Sequence, residues 1–268
     1  MTSLILVTGG TGTLGSRVVP LLRAAGRDIR VLSRHRHAPG DGIEYVTGDL
    51  LAGQGIEAAV DGAEIIVHCA GRRKGDDQAT EHLAAAASRA GGAHLVYISV
   101  VGADRVPVAS AIDRAMFGYF ATKLAAERVV AGSGLPWTTL RAAQFHDSLR
   151  LVARQLARLP VLPVPAGFRF QPVDTGEVAA RLAELALGPP AGLVPDLAGP
   201  RAVLMTDLLR SYLRAQGQRR ALLPMRIPGQ AARAIRDGAN LAPELPAGQR
   251  SWEDFLAARP SSGQPNSE

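Results

Sequence analysis

The chain has 268 residues, of which 47% are hydrophobic, and a formal net charge of +6. That length suits one large α/β domain or a domain with an appended lobe. The single cysteine excludes an internal disulfide framework and fits a reducing compartment. No apolar run approaches the roughly 20 residues of a membrane helix, and no cleavable leader precedes the first apolar segment. We therefore expect a cytoplasmic protein with no membrane partner.

The basic residues are scattered among acidic ones, without a basic run that carries interleaved aromatic residues. The densest cluster, Arg72-Arg73-Lys74, falls in a predicted loop. The sequence has neither a helix-turn-helix nor a zinc-finger spacing. We interpret the positive charge as a solvated surface that also attracts phosphate-rich ligands, and we expect no nucleic-acid partner.

The first predicted element is a buried strand that ends in a glycine-rich turn and leads directly into an amphipathic helix. The run reads Leu4-Ile5-Leu6-Val7-Thr8-Gly9-Gly10-Thr11-Gly12-Thr13-Leu14-Gly15. The glycines let the backbone approach a ligand without interference from Cβ, and the helix start offers free N–H groups with about half a positive charge. A pyrophosphate fits there, so the segment predicts a dinucleotide-binding fingerprint.

The end of the second predicted strand, residues 29–32, bears on the choice of dinucleotide. An acidic residue at this point usually binds the ribose 2′-hydroxyl of NAD. Here Ser33 takes that place, Arg34 follows, and Arg36 lies just beyond. Because a guanidinium can hold a 2′-phosphate with two hydrogen bonds, we expect NADP(H) to be favoured over NAD(H). The alternative is that Arg34 is only a solvated residue of a basic loop.

Apolar strands and helices continue to alternate through residue 141. Strands are predicted at 43–50 (with its exit), 65–71, 94–99 and 137–141, and helices near 55–60, 80–89 and 115–131. This alternation predicts an α/β fold with a Rossmann-type, doubly wound parallel sheet. His68 and Cys69, neighbours on the fourth strand, point to opposite faces, so we assign them to core packing and predict no metal site.

Beyond about residue 150 the alternation loosens and prolines multiply. Helices are predicted near 151–159, 174–187, 206–216, 229–237 and 252–259, with short strands at 169–173 and 193–197. We predict an NAD(P)-binding domain over residues 1–150, a smaller substrate-binding lobe over 151–259 and a disordered tail over 260–268. A lobe above the carboxyl ends of the strands would form a substrate cleft.

The helix predicted over 115–131 carries a Tyr-x-x-x-Lys spacing at Tyr119 and Lys123. Residues four apart share a helix face, so we expect the ammonium to lie near the phenol and to lower a pKa that starts at about 10. The chain contains 28 arginines but only two lysines, which indicates that position 123 needs a compact ammonium able to lose its proton. An incidental surface pair is the alternative.

The run Thr8 to Gly15, with its Gly-x-x-Gly-x-x-Gly spacing, resembles the short-chain dehydrogenase/reductase superfamily, in particular its extended and atypical (NmrA-like) branches. Residues 124–127, 136–141, 170–174 and 199–200 are also similar to the NmrA-like branch. The resemblance implies that Tyr119 protonates a substrate carbonyl as hydride arrives and that Lys123 also holds the nicotinamide ribose. It further implies that Ser99 hydrogen-bonds the carbonyl. Ser99 is alternatively a buried hydroxyl bonded to backbone, with the family serine aligned at Val100 or Val101.

The resemblance also places residues around the cofactor. Asp49, next to Leu50, matches the family position whose side chain contacts the adenine amino group. The alternative is that Asp49 is only a turn residue after the third strand. Ala70 and Gly71 let the cofactor pass the fourth strand, while Gln144 and Phe145 lie beside the nicotinamide or pack at the domain junction. The predicted cofactor-binding residues are Thr8, Gly9, Gly10, Thr11, Gly12, Thr13, Leu14, Gly15, Ser33, Arg34, Arg36, Asp49, Leu50, Ala70, Gly71, Lys123, Gln144 and Phe145.

The sequence thus supports an NADPH-dependent oxidoreductase, a monomer or homodimer, that reduces a carbonyl or activated alkene of a small apolar molecule. The alternative is a redox sensor that binds NADP(H) without turnover and signals to a protein partner. An isomerase or dehydratase that keeps its cofactor bound is a third possibility.

Overall fold

The computed structural model describes residues 3–38, 42–71, 74–242 and 248–258. The strands in these ranges are β1 (Leu4–Thr8), β2 (Asp28–Ser33), β3 (Ile43–Thr47), β4 (Ile65–His68), β5 (His94–Val100), β6 (Trp137–Ala142), β7 (Val161–Pro165), β8 (Arg169–Phe170), β9 (Gly192–Leu193), β10 (Val203–Leu204) and β11 (Ala221–Met225). The helices are α1 (Gly15–Ala24), α2 (Ile56–Val60), α3 (Asp76–Arg89), α4 (Ala111–Gly132), α5 (His146–Leu156), α6 (Thr175–Leu187), α7 (Met205–Ala215), α8 (Gln230–Arg236) and α9 (Trp252–Ala257). The predicted tail over 260–268 and the pair Arg72-Arg73 lie outside the described residues.

Seven parallel strands form the central sheet in the order β3-β2-β1-β4-β5-β6-β9. The chain winds outward from β1 in one direction to β3 and then returns to β4 on the other side. This reversal opens a crevice at the carboxyl ends of β1 and β4, where such folds bind ligands. The predicted Rossmann-type sheet is therefore confirmed.

Both faces of the sheet are covered, which explains why its strands read as continuous apolar runs. All seven residues of β5 are buried. Ile5 and Val7 of β1 face the cluster beneath α1 and α6, whereas Leu6 faces the cluster beneath α2, α3 and α4. The sheet is thus a rigid platform that fixes the turns at its carboxyl edge.

The chain beyond residue 150 contributes to two places. Helix α6 packs on α1 and β9 joins the central sheet, while α5, α7, α8 and α9 surround a separate apolar cluster. That cluster also takes Val100, Phe117 and Phe120 from the end of β5 and from α4. The division of the chain at residue 150 stays a prediction.

Several element boundaries differ from the sequence-based ones. Residues 161–165, where prolines suggest only a helix stop, form β7, which pairs with β11. Proline is tolerated there because each strand of a two-stranded sheet has one free edge. Helix α3 begins at Asp76, four residues before its predicted start, and α4 begins after a capping box of Ser110 and Asp113. In the described part of the chain, no helix has the length and apolarity needed to cross a bilayer.

Candidate active site

A cavity of about 790 Å³ opens at the carboxyl edge of the central sheet. Its volume falls in the range of small-molecule and cofactor sites. The predicted site residues on its wall are Thr8, Gly9, Thr11, Gly12, Thr13, Leu14, Ser33, Arg34, Asp49, Leu50, Ala70, Gly71, Ser99, Tyr119, Lys123, Gln144 and Phe145. Gly10, Gly15 and Arg36 do not line this cavity. Residues spread over most of the sequence therefore meet around one space.

The glycines of the first turn differ in what an added Cβ atom would meet. A Cβ on Gly9, whose φ is +67°, would lie 2.7 Å from the Ala70 nitrogen, and one on Gly15 would collide with the Gly9 carbonyl oxygen. A Cβ on Gly10 would lie 2.8 Å from Val31. Gly9, Gly10 and Gly15 are thus needed for packing of the turn against its neighbours.

Gly12 instead faces open space. Its Cβ would meet the Gly9 oxygen at 3.3 Å and no other atom within 4 Å, and Gly12 lines the cavity. Helix α1 starts just beyond, with no side-chain cap and no acidic residue in its first turn. A cradle that a Cβ would fill, at the positive end of the α1 dipole, fits the diphosphate of a dinucleotide.

The end of β2 presents basic groups to the same cavity. Arg34 and His35 line it, and the Ser33 hydroxyl is engaged with His37 Nε2 at 2.9 Å and with the His35 N–H at 3.2 Å. Asp49 Oδ1 accepts the Leu51 N–H at 2.9 Å, so Asp49 shapes its turn while also lining the cavity. Among the described lining residues, none at the end of β2 carries a carboxylate. This part of the cavity wall therefore has no negative charge at the β2 end to repel an anionic group.

Lys123 lies at the centre of a buried polar cluster that sequence reasoning missed. Its Nζ donates to Asp76 Oδ2 at 2.9 Å, to the Tyr97 hydroxyl at 3.0 Å and to the Ile98 carbonyl at 3.0 Å. Tyr97 in turn donates to Asp76 Oδ2 at 2.9 Å. Only 2% of Lys123 and 1% of Asp76 is exposed. The three N–H donors of the ammonium are therefore all occupied within the protein.

Attraction between opposite charges outweighs the effect of burial on the pKa values of Lys123 and Asp76. Burial alone would lower the pKa of Lys123, but Tyr97, Tyr119 and Asp76 hold that pKa above its ordinary value. Burial would raise the pKa of Asp76, yet the Lys123 ammonium outweighs it and the pKa stays below the usual range. Burial raises the pKa of Tyr97. At neutral pH the cluster is an ion pair bridged by a neutral phenol.

Tyr119 stands apart from that cluster on the cavity wall. Its side chain is on the same helix face as Lys123, with Nζ 5.9 Å from the Tyr119 ring centroid, but Nζ directs its hydrogen bonds to Asp76, Tyr97 and Ile98. At 37% exposure, Tyr119 is accessible to a ligand. The predicted pair thus places a fixed positive charge behind an accessible phenol.

His68 ties the ends of β1 and β4 to the start of α3. Thr80 donates its hydroxyl proton to the Asp76 carbonyl at 2.6 Å, so it accepts from His68 Nε2 at 3.2 Å. His68 Nδ1 then accepts from the Thr8 hydroxyl at 2.6 Å. Burial lowers the pKa of His68 to about 4, so the ring is neutral at physiological pH. His68 therefore packs in the core, as the sequence predicts, in a network adjoining the glycine turn.

This arrangement predicts a loss of stability in mild acid. The native pKa of His68, about 4, lies below the 6.5 of an unfolded histidine, so the unfolded chain binds more protons as pH falls from 6.5 towards 4. We expect the free energy of unfolding to fall by roughly 2 kcal/mol between pH 7 and pH 5 through this residue. Urea unfolding at both pH values measures this fall.

The control variant is His68→Gln. His94 and His146 also have lowered pKa values, so this variant should keep part of the pH dependence of stability but lose the share of His68. An unchanged slope would contradict the assignment.

Cys69 also lines the cavity, but burial makes its thiol unreactive at neutral pH. Burial raises the pKa of the thiol to about 12, so it is not a nucleophile at neutral pH. Among the described residues, no group of three or more potential metal ligands comes together. The polar side chains on the cavity wall include the Ser99 and Tyr119 hydroxyls, the Gln144 amide and the Lys123 ammonium.

Ser99 and Gln144 bring unsatisfied polar atoms to the cavity. Ser99 Oγ and Gln144 Oε1 are buried and lack a hydrogen-bond partner within the described residues. Among the described residues, the Ser99 hydroxyl therefore does not form the alternative hydrogen bond to backbone. Buried polar atoms without partners are costly, so their clustering on one cavity indicates a ligand that supplies the missing partners.

The far side of the cavity is apolar and comes from α4 together with the chain beyond residue 150. The lining side chains there include Met116, Phe117, Phe120, Phe168, Phe170 and Ile235. Phe168 and Ile235 pack with Phe117 in one cluster. The sequence did not predict these residues because they converge through tertiary packing across more than 100 positions. The cavity therefore joins a phosphate-compatible turn to an apolar chamber.

Comparison with known proteins agrees with this geometry. The sequence model of a family described as NAD(P)H-binding matches residues 9–166. A ceramide reductase from Caulobacter vibrioides is 30% identical over 84% of this chain and 74% of its own length. An NAD(P)H azoreductase from Xenophilus azovorans is 26% identical over 90% of this chain and 87% of its own length.

Solved structures show the same architecture. An NADPH-dependent quinone oxidoreductase from Escherichia coli, in complex with NADPH, superposes with a TM-score of 0.78 at 19% identity, covering 94% of this chain and 98% of that one. A nucleoside-diphosphate-sugar epimerase from Staphylococcus aureus superposes with a TM-score of 0.73 at 20% identity, covering 96% and 99%. The chain therefore belongs to the NAD(P)H-binding family whose sequence model it matches, and the relatives named as reductases support an NAD(P)H-dependent oxidoreductase.

Proposed function

We propose that the protein is an NADPH-dependent oxidoreductase that reduces a carbonyl, such as that of a quinone, or an activated alkene in a small apolar molecule. One observation carries this proposal: a single cavity connects the glycine turn to an apolar chamber, with Tyr119 and Ser99 on its wall. Relatives named as a reductase and an azoreductase support the reaction class.

In this proposal the chain's own groups act on the substrate oxygen. NADPH, when bound, supplies hydride. The Tyr119 hydroxyl gives a proton to the oxygen, and the Ser99 hydroxyl, which has no other partner among the described residues, donates a hydrogen bond to it. Lys123, held by Asp76 and Tyr97, supplies a fixed positive charge that stabilises the developing negative charge.

Turnover tests the proposal directly. The purified protein is mixed with NADPH and a panel of quinones, aldehydes and enones, and loss of dihydronicotinamide absorbance is followed. We expect oxidation that depends on the second substrate and yields a stoichiometric reduced product. Tight NADPH binding without turnover across the panel would contradict the proposal.

A sensor that binds NADP(H) without turnover is the second candidate. The full occupancy of the Lys123 donors favours it, because that ammonium must exchange a partner before it can hold a ribose. A sensor predicts cofactor-dependent binding of a protein partner and no Tyr119-dependent oxidation.

The proposed preference for NADP(H) depends on Arg34. We expect Arg34→Ala to weaken NADPH binding by about 10- to 100-fold and to leave NADH binding almost unchanged, since charge-assisted hydrogen bonds to the 2′-phosphate are lost. Calorimetric titration with both dinucleotides measures the change. Arg36→Ala is the matched control, because Arg36 does not line the cavity. A preference for NADPH that survives Arg34→Ala would refute this assignment.

A further inference from the structure

Asn240 is a buried polar residue on the wall of the cavity that neither the sequence nor the proposed chemistry has used. It follows α8, lines the cavity, and is 0% exposed. Its Oδ1 has no hydrogen-bond partner among the described residues. It is therefore an acceptor held out of bulk water with its capacity unfilled.

The orientation of this amide is fixed by chemistry. Asn240 Nδ2 donates to the Arg169 carbonyl at 2.8 Å. A carbonyl only accepts hydrogen bonds, so the nitrogen must be the atom that faces Arg169. Exchanging the two ends of the amide would set oxygen against oxygen. Oδ1, and not Nδ2, is consequently the atom left without a partner.

The backbone around Asn240 is clamped in place. Gly102, with φ of +89°, sits so close that a Cβ would lie 2.5 Å from the Ala239 oxygen and 3.1 Å from Asn240 Cα. The Gln171 side chain accepts from the Ala242 N–H at 2.9 Å and donates to the Ala242 carbonyl at 3.3 Å. Asn240 therefore has little freedom to turn its oxygen towards another group.

The surroundings make an unpaired acceptor expensive. Neighbouring wall residues Phe168, Phe170 and Ile235 are apolar, and Ala239 packs against the same cluster. A polar atom in such a setting costs free energy unless it is hydrogen-bonded. A ligand that fills the chamber gains most when it brings a donor to this atom.

We propose that Asn240 is a specificity-determining residue whose Oδ1 accepts a hydrogen bond from a hydroxyl or N–H group of the substrate. The favoured substrate class is an aromatic or similarly flat apolar molecule that carries such a donor in addition to its reducible group. The proposal rests on the proposed function for the identity of the chamber as the substrate site.

The test measures binding and needs no turnover. The protein is saturated with NADP⁺ and titrated with 2-naphthol or 2-methoxynaphthalene, which have similar apolar surfaces but only one of which donates. We expect the naphthol to bind about tenfold more tightly, and Asn240→Leu to abolish the difference. Met116→Leu, an apolar change on the same wall, should affect both probes alike and leave the preference intact.

Three results would overturn the inference. They are no preference in the wild type, a preference that persists in Asn240→Leu, or a fall in the NADP⁺ affinity of Asn240→Leu by the same factor as its naphthol affinity. The last would place Oδ1 on the cofactor. Asn240→Ala serves if the leucine variant does not fold, and the wild-type comparison stands without either. A turnover panel that fails while the naphthol preference holds would sink the proposed function and leave the donor-binding site in place.

Discussion

Replacing Tyr119 with phenylalanine is expected to lower kcat by about 100- to 10,000-fold while leaving NADPH affinity within about twofold. The substitution keeps the ring, its edge contact with Phe120 and the helix, and removes only the hydroxyl that would give the proton. Because Tyr119 is 37% exposed, the change should cost little stability. Steady-state kinetics, cofactor titration and thermal unfolding of the same preparations separate these effects.

Thr122→Val is the matched control for that experiment. Thr122 is one turn along the same helix, and its hydroxyl donates only to the Tyr119 carbonyl at 3.0 Å. We expect this variant to keep wild-type kcat. Equal kcat in wild type and Tyr119→Phe would remove Tyr119 from the proton-donating role.

Lys123→Met should cause the largest combined loss, in stability as well as in activity. It leaves the Asp76 carboxylate buried without its counter-ion, a change that typically costs about 3–5 kcal/mol. It also removes the positive charge behind the cavity wall, so we expect at least about tenfold weaker NADPH binding. Urea unfolding and cofactor titration well below the melting temperature measure the two effects separately.

A double-mutant cycle with Asp76→Asn tests the cause of that loss. The double variant should be less destabilised than the sum of the single variants, because neither charge is left unpaired. The deficit of Lys123→Met relative to wild type should also shrink as pH falls, since a protonated Asp76 needs no counter-ion. Additive losses with no pH dependence would show that the ion pair contributes no coupling.

Local sequence patterns were enough to predict the sheet and the glycine turn. A βα turn is encoded by consecutive residues, so Gly9, Gly12 and Gly15 could be placed before the tertiary structure was known. The spacing of Tyr119 and Lys123 likewise needs only the period of a helix. Arg36 did not reach the cavity because loop direction after a strand is not set by strand pattern.

The partners of the site residues were beyond local reasoning. Asp76 lies 47 positions before Lys123, and Tyr97 lies on a strand whose residues are all buried, so no alternation marks its special face. Asn240 reaches the wall of the cavity, where Gly102 leaves room for its backbone and Gln171 holds the nearby Ala242. Such contacts come from tertiary packing between segments that are far apart in the sequence, and each required the structure.

The proposed diphosphate cradle at Gly12 is central to the proposed function, and NADPH titration tests it most directly. Binding is followed by the fluorescence of the dihydronicotinamide in wild type and in Gly12→Val, whose Cβ would meet the Gly9 oxygen at 3.3 Å and no other atom within 4 Å. We predict saturable binding by the wild type, competition by NADP⁺, and a loss of at least about 100-fold in a variant that still folds. Equal affinity of the two proteins, or no binding by the wild type, would contradict the account.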